Sequence, residues 1–261
     1  MSAGIERLLA IMSRLRDPTG GCPWDREQTW RSISPHTLEE AYELADAIER
    51  DDPGAVRDEL GDLLFQVVFQ AQIAREQGLF DFDDVAAGIG DKLERRHPHV
   101  FGDQRIASSQ EQSRAWEAHK AAERRERGDG TGVLDGVARA LPALARAAKL
   151  GRRAAAVGFD WSSADAVLDK VDEEVAESRH ALGQGNPAEL REELGDLLFA
   201  VAQAARYCGV DPEEALRQAN DKFERRFRHI EADLDSRGLS PQQVGIDELE
   251  ALWIEAKQSG R

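Results

Sequence analysis

The chain has 261 residues, of which 50 are acidic and 34 basic, giving a formal charge of −16. This surplus argues against binding to a nucleic-acid polymer, because such binding neutralises many phosphates with Lys and Arg. It leaves a single nucleotide open as a ligand, since metal ions can bridge carboxylates to phosphates.

The chain begins with a predicted amphipathic helix over residues 1–16, whose charges are unlike the apolar core of a signal peptide. The best apolar run, residues 63–71, is broken by Gln66 and Gln70 and is too short to span a bilayer. Cys22 and Cys208 are far apart in the sequence and lack the spacing of metal ligands. We interpret them as two reduced thiols. We therefore expect a cytoplasmic protein with no membrane partner.

An internal repeat at an offset of 134 residues is the most informative feature of the sequence. Residues 39–43 (EEAYE) recur at 173–177 (EEVAE), and 57–65 (RDELGDLLF) recur at 191–199 (REELGDLLF). With a slightly smaller offset, 91–96 (DKLERR) recur at 221–226 (DKFERR). A weaker echo pairs Trp116 and Lys120 with Trp253 and Lys257. Blocks in the same order indicate a tandem duplication.

Caps and glycines mark the ends of the predicted helices. A capping residue precedes a proline at four places, namely Ser34–Pro35, Asp52–Pro53, Asn186–Pro187 and Asp211–Pro212. Gly78 and Gly209 stand where helices should end. One apolar helix face is predicted to carry Leu60, Leu63, Leu64, Val67 and Val68.

These signals predict an all-α fold, a tandem duplication of a bundle of four to five helices. The first module should span residues 1–127 and the second 161–261, with 128–160 as linker and connecting helix. Residues 105–131 are charge-dense and run into a glycine-rich turn, which indicates a charged helix followed by a flexible boundary.

Acidic residues three apart recur on two consecutive predicted helices of each half. The pairs are Glu40 with Glu43, Glu59 with Asp62, Glu174 with Glu177, and Glu193 with Asp196. Residues three apart share a helix face, so two antiparallel helices can bring four carboxylates together. Such crowding is unfavourable unless cations neutralise it, and Mg²⁺, or Mn²⁺ in its place, suits carboxylate oxygens. The alternative is a solvated acidic face, although the pairs flank an apolar stretch that should be buried.

Basic residues four apart follow in each half. The pairs are Lys92 with Arg96 and Lys222 with Arg226, and each shares one helical face. Such a pair can hold the terminal phosphates of a nucleotide whose other oxygens bind the metals. The same cations can instead form salt bridges with the acidic residues, and the sequence leaves both interpretations open.

These blocks resemble the MazG family of nucleoside triphosphate pyrophosphohydrolases, as do residues 22–25 (CPWD), 97–101 (HPHVF), 141–144 (LPAL) and 157–161 (VGFDW). The resemblance covers nearly the whole chain. It implies Mg²⁺-dependent hydrolysis of (deoxy)nucleoside triphosphates to the monophosphate and pyrophosphate by an all-α homodimer. It also implies a role in nucleotide-pool cleansing or in stress-related nucleotide control.

The resemblance also implies residue roles in the second half. The metal ligands would be Glu174, Glu177, Glu193 and Asp196. The nucleotide would be contacted by Lys170, Glu173, Arg191, Lys222, Arg226 and Trp253. Arg191 is included because Glu189 stands where relatives carry a basic residue. Glu173 or Glu174 would accept the proton of the attacking water, and Trp253 either stacks on the nucleotide or anchors the core.

The first half carries the residues for a second site, which we expect to be weak or inactive. These residues are Glu40, Glu43, Glu59, Asp62, Lys92 and Arg96. His36 stands where the second half has Lys170, so a permanent cation is missing there. Pro98 should also cut short the helix that carries the basic pair, whereas its counterpart continues through His229.

Two other classes of protein fit parts of the pattern. A di-iron carboxylate protein needs Glu-x-x-His on two helices. Such strings occur at Glu94–His97 and Glu177–His180, but at unrelated places in the repeat. A helical partner-binding protein would use the acidic clusters for docking, and it predicts no change in thermal stability with Mg²⁺ and nucleotide.

Overall fold

The computed structural model describes residues 3–102 and 132–259. Within these ranges the chain forms helices and no β-strand, so the predicted all-α class is confirmed. The charged helix predicted over residues 105–131, and the echo at Trp116 and Lys120, lie outside the described residues.

The chain divides into two compact units, Met1–His119 and Lys120–Arg261. In the described parts of both units, every helix is too short or too polar to cross a membrane. Each unit is built around one long antiparallel helix pair, in agreement with the predicted duplication.

The first unit is built around the helix pair formed by its third and fourth helices. Its helices are α1 (Ala3–Leu15), α2 (Pro23–Glu27), α3 (Trp30–Glu49), α4 (Pro53–Glu76), α5 (Phe82–Arg96) and α6 (Pro98–Phe101). Helices α3 and α4 pack along each other, and α1 packs on α4. Their contacts bury a core of Met12, Ile33, Val68, Phe69 and Ile73.

The second unit repeats the pair with α8 and α9. Its helices are α7 (Ala143–Ala155), α8 (Ala164–Gln184), α9 (Pro187–Tyr207), α10 (Pro212–Ser236) and α11 (Ile246–Gln258), with a 3₁₀ turn at Pro241–Gln243. Helix α7, from the segment expected to connect the modules, packs on α9 and α10. A core cluster of Ile230, Leu234 and Leu252 joins α10 to α11.

Most of the predicted helix ends are confirmed. Asp52, Asn186 and Asp211 each accept backbone hydrogen bonds ahead of a proline at the start of a helix. Gly78 and Gly209 follow the ends of α4 and α9 with φ of 68° and 74°, a left-handed conformation that favours glycine.

The helix start predicted at Ser34–Pro35 is wrong. Helix α3 begins at Trp30, and Pro35 lies inside it. Thr29 and Ser32 form a reciprocal capping box, in which each side chain accepts a hydrogen bond from the other residue's backbone N–H. These two hydrogen bonds offset the one backbone hydrogen bond that a proline inside a helix cannot donate.

The predicted apolar face of α4 is only partly buried. Val68 lies in the core, but Leu60 and Val67 are 50% and 38% exposed. The predicted residues do share one side of α4, but that side is exposed at Leu60 and Val67, because the side that carries Phe69 and Ile73 faces the core.

A buried polar contact joins α7 to α9. The fully buried Gln203 donates through Nε2 to the carbonyl of Ala147 at 2.8 Å, and its Oε1 accepts from Nε of Arg206 at 2.8 Å. Helix α7 presents Gly151 to this side chain, and a Cβ at that position would overlap the Gln203 Oε1 atom. The hydrogen-bonded side chain of Gln203 therefore occupies the space that a Cβ at position 151 would need.

Candidate functional site

The turn between α8 and α9 sets the acidic residues of the second unit opposite one another. Gly185 ends α8 with φ of 65°, which favours glycine, and Asn186 caps α9. Because this turn is short, residues equally far from it along the two helices lie at the same level. Acidic residues on the facing sides of the pair are thereby brought together.

Three of the four predicted metal ligands of the second unit form one tight group. Glu174, Glu177 and Glu193 each offer a carboxylate oxygen, and these oxygens lie within 4.8 Å of one another. Glu174 is buried, Glu193 half-buried and Glu177 exposed, so the group opens to solvent on one side. Asp196 is not among these mutually close oxygens, and its side chain is one methylene shorter than that of Glu.

The negative charges of these carboxylates lie close together, and nearby positive charges do not fully neutralise them. Burial raises the pKa of Glu193, and the carboxylates of Glu177, Glu174 and Asp196 raise it further. Asp196 therefore acts on the group electrostatically although its oxygens lie outside it. Like charges that share a site favour the protonated form unless a cation neutralises them.

The donor set fits a divalent cation. Two oxygens on one Mg²⁺ ion are each about 2.1 Å from the metal and so are at most about 4.2 Å apart. A spread of 4.8 Å among the three glutamates thus needs only small side-chain adjustments. Carboxylate oxygens without sulfur or imidazole are the donors that hard cations prefer.

Lys170 is bound to both predicted proton acceptors. Its Nζ donates to the carboxylates of Glu173 and Glu174, at 2.8 Å in each case. The hydrogen bonds to Glu173 and then to Glu174 raise the pKa of Lys170 above its ordinary range, so it stays charged at neutral pH. The lysine therefore orients one buried metal-ligand candidate and its exposed neighbour together.

The first unit holds a matching group between α3 and α4. Glu40, Glu43 and Glu59 offer oxygens within 4.8 Å of one another, and Asp62 is again outside the group. Burial raises the pKa of Glu40 and of Glu59, and neighbouring carboxylates add to both shifts. The acidic half of the predicted second site is thus present.

The cation beside the acidic group differs between the two units. His36 takes the place of Lys170, and its Nδ1 lies 3.3 Å from Oε2 of Glu39, the counterpart of Glu173. The Trp24 ring packs edge-on against His36, with ring centroids 6.0 Å apart. An imidazole replaces a permanent charge, as the sequence predicted.

The helix that carries the basic pair also differs as predicted. In the first unit α5 ends at Arg96 and Pro98 starts the separate helix α6, whereas α10 continues to Ser236. Lys92 and Arg96 are half-buried on α5.

Arg226 and Trp253 come together where α10 meets α11. The Cζ atom of Arg226 lies 5.6 Å from the Trp253 ring centroid, and the Phe223 ring lies 5.2 Å from it. Trp253 is half-buried and packs on the core cluster of α10 and α11, which supports its interpretation as a core anchor. Lys222 is exposed one turn before Arg226 on the same helix.

The second turn of α9 places Arg191 at the surface. Glu189, which stands where a basic residue was expected, accepts a hydrogen bond from Nδ2 of Asn186 at 3.2 Å. Glu189 therefore takes part in capping α9.

One polar residue near the acidic group of the second unit, Ser178, was not predicted from the sequence. Ser178 is 8% exposed and continues the stripe formed by Lys170 and Glu174 at steps of four residues. That spacing was the signal that could have revealed it.

The histidines of the di-iron alternative do not join the carboxylates within the described ranges. Neither His97 nor His180 belongs to a group of mutually close ligand atoms. Instead His97 Nδ1 lies 2.7 Å from the carbonyl of Leu93, and His180 Nε2 lies 3.3 Å from the Gln184 side chain.

Fold and site together define a duplicated helical protein with an acidic group in each repeat. The profile of the family described as "MazG nucleotide pyrophosphohydrolase domain" matches residues 28–101 and 162–231. A protein of Escherichia coli (strain K12), named "Nucleoside triphosphate pyrophosphohydrolase", is 52% identical over 256 residues, which are 97% of each chain. A Thermotoga maritima protein, named "Nucleoside triphosphate pyrophosphohydrolase/pyrophosphatase MazG", is 43% identical over 98% of this chain and 97% of its own. The chain belongs to the MazG family.

Proposed function

We propose that this protein hydrolyses nucleoside triphosphates to the monophosphate and pyrophosphate, with Mg²⁺ as cofactor and Mn²⁺ as a substitute. The observation that carries this proposal is the group of three glutamate oxygens within 4.8 Å of one another, beside Lys170. The names of the two relatives give the same reaction class.

The metal would be held by Glu174, Glu177 and Glu193, with Asp196 as the fourth ligand after a small movement. When bound, a divalent cation neutralises the carboxylates, draws in the polyphosphate and makes a nearby water more acidic. Glu174 is buried, and on that side of the group electrostatic interactions are less screened by bulk water.

The proton acceptor would be Glu173 or Glu174. Glu173 is the better placed of the two, because Glu174 is buried within the ligand group. Water loses its proton to this carboxylate, its oxygen bonds to one phosphorus of the α–β linkage, and the bridging P–O bond breaks. The nucleoside monophosphate and pyrophosphate are the two products.

The phosphates and the nucleoside would be bound by residues of three helices. Lys222 and Arg226 would hold the departing pyrophosphate, with Arg191 contributing from the start of α9. Lys170 would keep Glu173 oriented and face the phosphates as well. Trp253 would offer the uncovered part of its ring to the base or ribose.

We assign the main activity to the second unit and a weak or absent activity to the first. Glu40, Glu43 and Glu59 could hold a cation, but His36 supplies no permanent positive charge beside them. The homodimer, the cytoplasmic location and the role in nucleotide-pool cleansing or stress-related control stay predictions of the sequence. A nucleic-acid polymer is not among the partners that we propose.

The test compares matched double substitutions in the two units. Glu174→Gln with Glu177→Gln should lower Mg²⁺-dependent pyrophosphate release by at least about a hundredfold. Glu40→Gln with Glu43→Gln makes the same chemical change in the first unit and should leave most of the activity. Retained pyrophosphate release in the Glu174→Gln, Glu177→Gln variant would refute the assignment of the metal ligands. Release of inorganic phosphate alone by the unchanged protein would refute cleavage at the α–β linkage.

A further inference from the structure

Helix α8 carries a buried hydroxyl group beside the acidic group of the second unit. Ser178 is 8% exposed, and its Oγ has no hydrogen-bond partner within the described residues. Buried polar side chains nearly always have a partner, so an unpaired hydroxyl beside an acidic group calls for an explanation.

The position of Ser178 indicates what that contact is. It follows Glu174 by one helical turn and is adjacent to Glu177. It lies seven residues before Gly185, and Glu193 lies seven residues after Asn186, so the two are level across the antiparallel pair. Ser178 is therefore buried at the same level as Glu193, the one ligand candidate that α9 contributes to the group.

A local role in the helix does not account for Ser178. Helical serines commonly donate to a carbonyl in the preceding turn. Ser236 does this towards Asp233 at 2.6 Å, and Ser259 does it towards Ala256 at 3.0 Å. Ser178 makes no such hydrogen bond.

Only the second unit has a hydroxyl at this position of the repeat. At the offset of 134 residues, Leu44 of the first unit stands in place of Ser178. Leu44 is half-buried and can offer no hydrogen bond through its side chain. The hydroxyl therefore belongs to the unit to which we assign the main activity.

We propose that Ser178 is a positioning residue for Glu193. Its hydroxyl donates to the carboxylate oxygen of Glu193 that does not bind the cation, and so fixes the orientation of the other oxygen. Partners of this kind orient metal ligands, and removing one typically weakens metal binding tenfold or more. This inference rests on the proposed function, because it requires a cation at Glu193.

The test is a calorimetric Mn²⁺ titration of the full chain without nucleotide. Ser178→Ala should bind Mn²⁺ at the second unit about tenfold more weakly, whereas Ser178→Thr keeps a hydroxyl and should bind within about threefold of the unchanged protein. Ser236→Ala, which removes a helical serine hydroxyl on α10, is the matched control and should bind normally. Thermal unfolding without metal shows that each variant is folded before it is titrated.

Two results would overturn the inference. Unchanged Mn²⁺ affinity in Ser178→Ala would do so, as would an equal loss in the Thr variant, since that would reflect packing. Glu193→Gln separates this outcome from failure of the proposed function: if that variant keeps full affinity, the metal site itself is wrong. If Glu193→Gln loses affinity and Ser178→Ala does not, only the positioning role fails.

Discussion

Lys170 distinguishes the second acidic group from the first at the scale of single residues. It bonds to two glutamates at 2.8 Å, whereas His36 contacts Glu39 at 3.3 Å. Lysine supplies a permanent positive charge at this position, and histidine does not. The orientation of the proposed proton acceptor is therefore supported by a permanent charge in one unit only.

Substitution of Lys170 tests this difference. Lys170→Met should lower kcat/KM for pyrophosphate release by about a hundredfold, because an oriented charged donor at the reacting phosphates is lost. The reciprocal change His36→Lys should raise the residual activity of a chain whose second unit carries Glu174→Gln. Steady-state kinetics on both variants measures this, and an unchanged Lys170→Met enzyme would contradict the proposed role.

The raised pKa of Glu193 gives a prediction about pH. Its cause is burial first and then the nearby carboxylates, so the folded state holds this proton more tightly than the unfolded chain. The associated stability is present at low pH and is lost as the pH rises through the raised pKa. Without metal, Glu193→Gln should therefore melt at a higher temperature than the unchanged protein at neutral pH.

The same comparison has an internal control. The difference in Tm should vanish below about pH 4, where Glu193 is protonated even in the unfolded chain. Adding Mg²⁺ should raise the Tm of the unchanged protein and have less effect on the variant. A Tm difference that is constant with pH would show that the carboxylate is not under electrostatic strain.

At the scale of helices, the features that depend on spacing within one helix could be predicted from the sequence. Residues three apart share a helix face, so the pairing of Glu174 with Glu177 followed directly from the sequence. The start of α3 was missed because a capping box at Thr29 competes with the signal at Pro35. Which of two possible capping residues starts a helix depends on packing around the helix end. The sequence spacing alone does not determine that packing.

The residues of the acidic group could also be predicted from their spacing within each helix, but their packing could not. The glutamates were predicted, but the separation of Asp196 from the group depends on side-chain reach across the helix pair. The hydroxyl of Ser178 gained significance only from its burial and its unpaired state. Both properties arise from the packing of α8 on α9.

The contact between α7 and α9 gives a prediction at this scale. Gly151→Ala would force its Cβ into Gln203 and disturb the hydrogen bonds of Gln203 to Ala147 and Arg206. We expect a loss of about 1–3 kcal/mol in the free energy of unfolding, as for other overpacked cores. Urea unfolding measures this loss, with Gly183→Ala as the control because its Cβ would meet open space.

At the scale of the whole molecule, duplication has kept the acidic groups and changed what surrounds them. Both units retain three glutamates within 4.8 Å. The second unit adds a lysine, a buried serine and an uninterrupted helix that carries Lys222 and Arg226. This divergence explains why one fold unit is proposed to carry most of the activity while its copy retains the scaffold.

Exposed apolar residues on α9 offer a surface for the predicted homodimer. Leu194, Leu198 and Val201 share one side of α9 and are 45%, 60% and 46% exposed. We expect a second copy of the chain to cover this side. Leu198→Glu should then shift the mass in sedimentation equilibrium from dimer to monomer, whereas Leu216→Glu on α10 should not. A chain that is monomeric without any substitution would contradict the dimer.

The most direct test of the account locates the cation itself. Crystals grown with Mn²⁺ and an α,β-methylene nucleoside triphosphate should show an anomalous peak between α8 and α9. We predict that this peak lies about 2.0–2.3 Å from oxygens of Glu174, Glu177 and Glu193, with a phosphate oxygen completing the site. A bound nucleotide with no metal at these three glutamates would contradict the central claim.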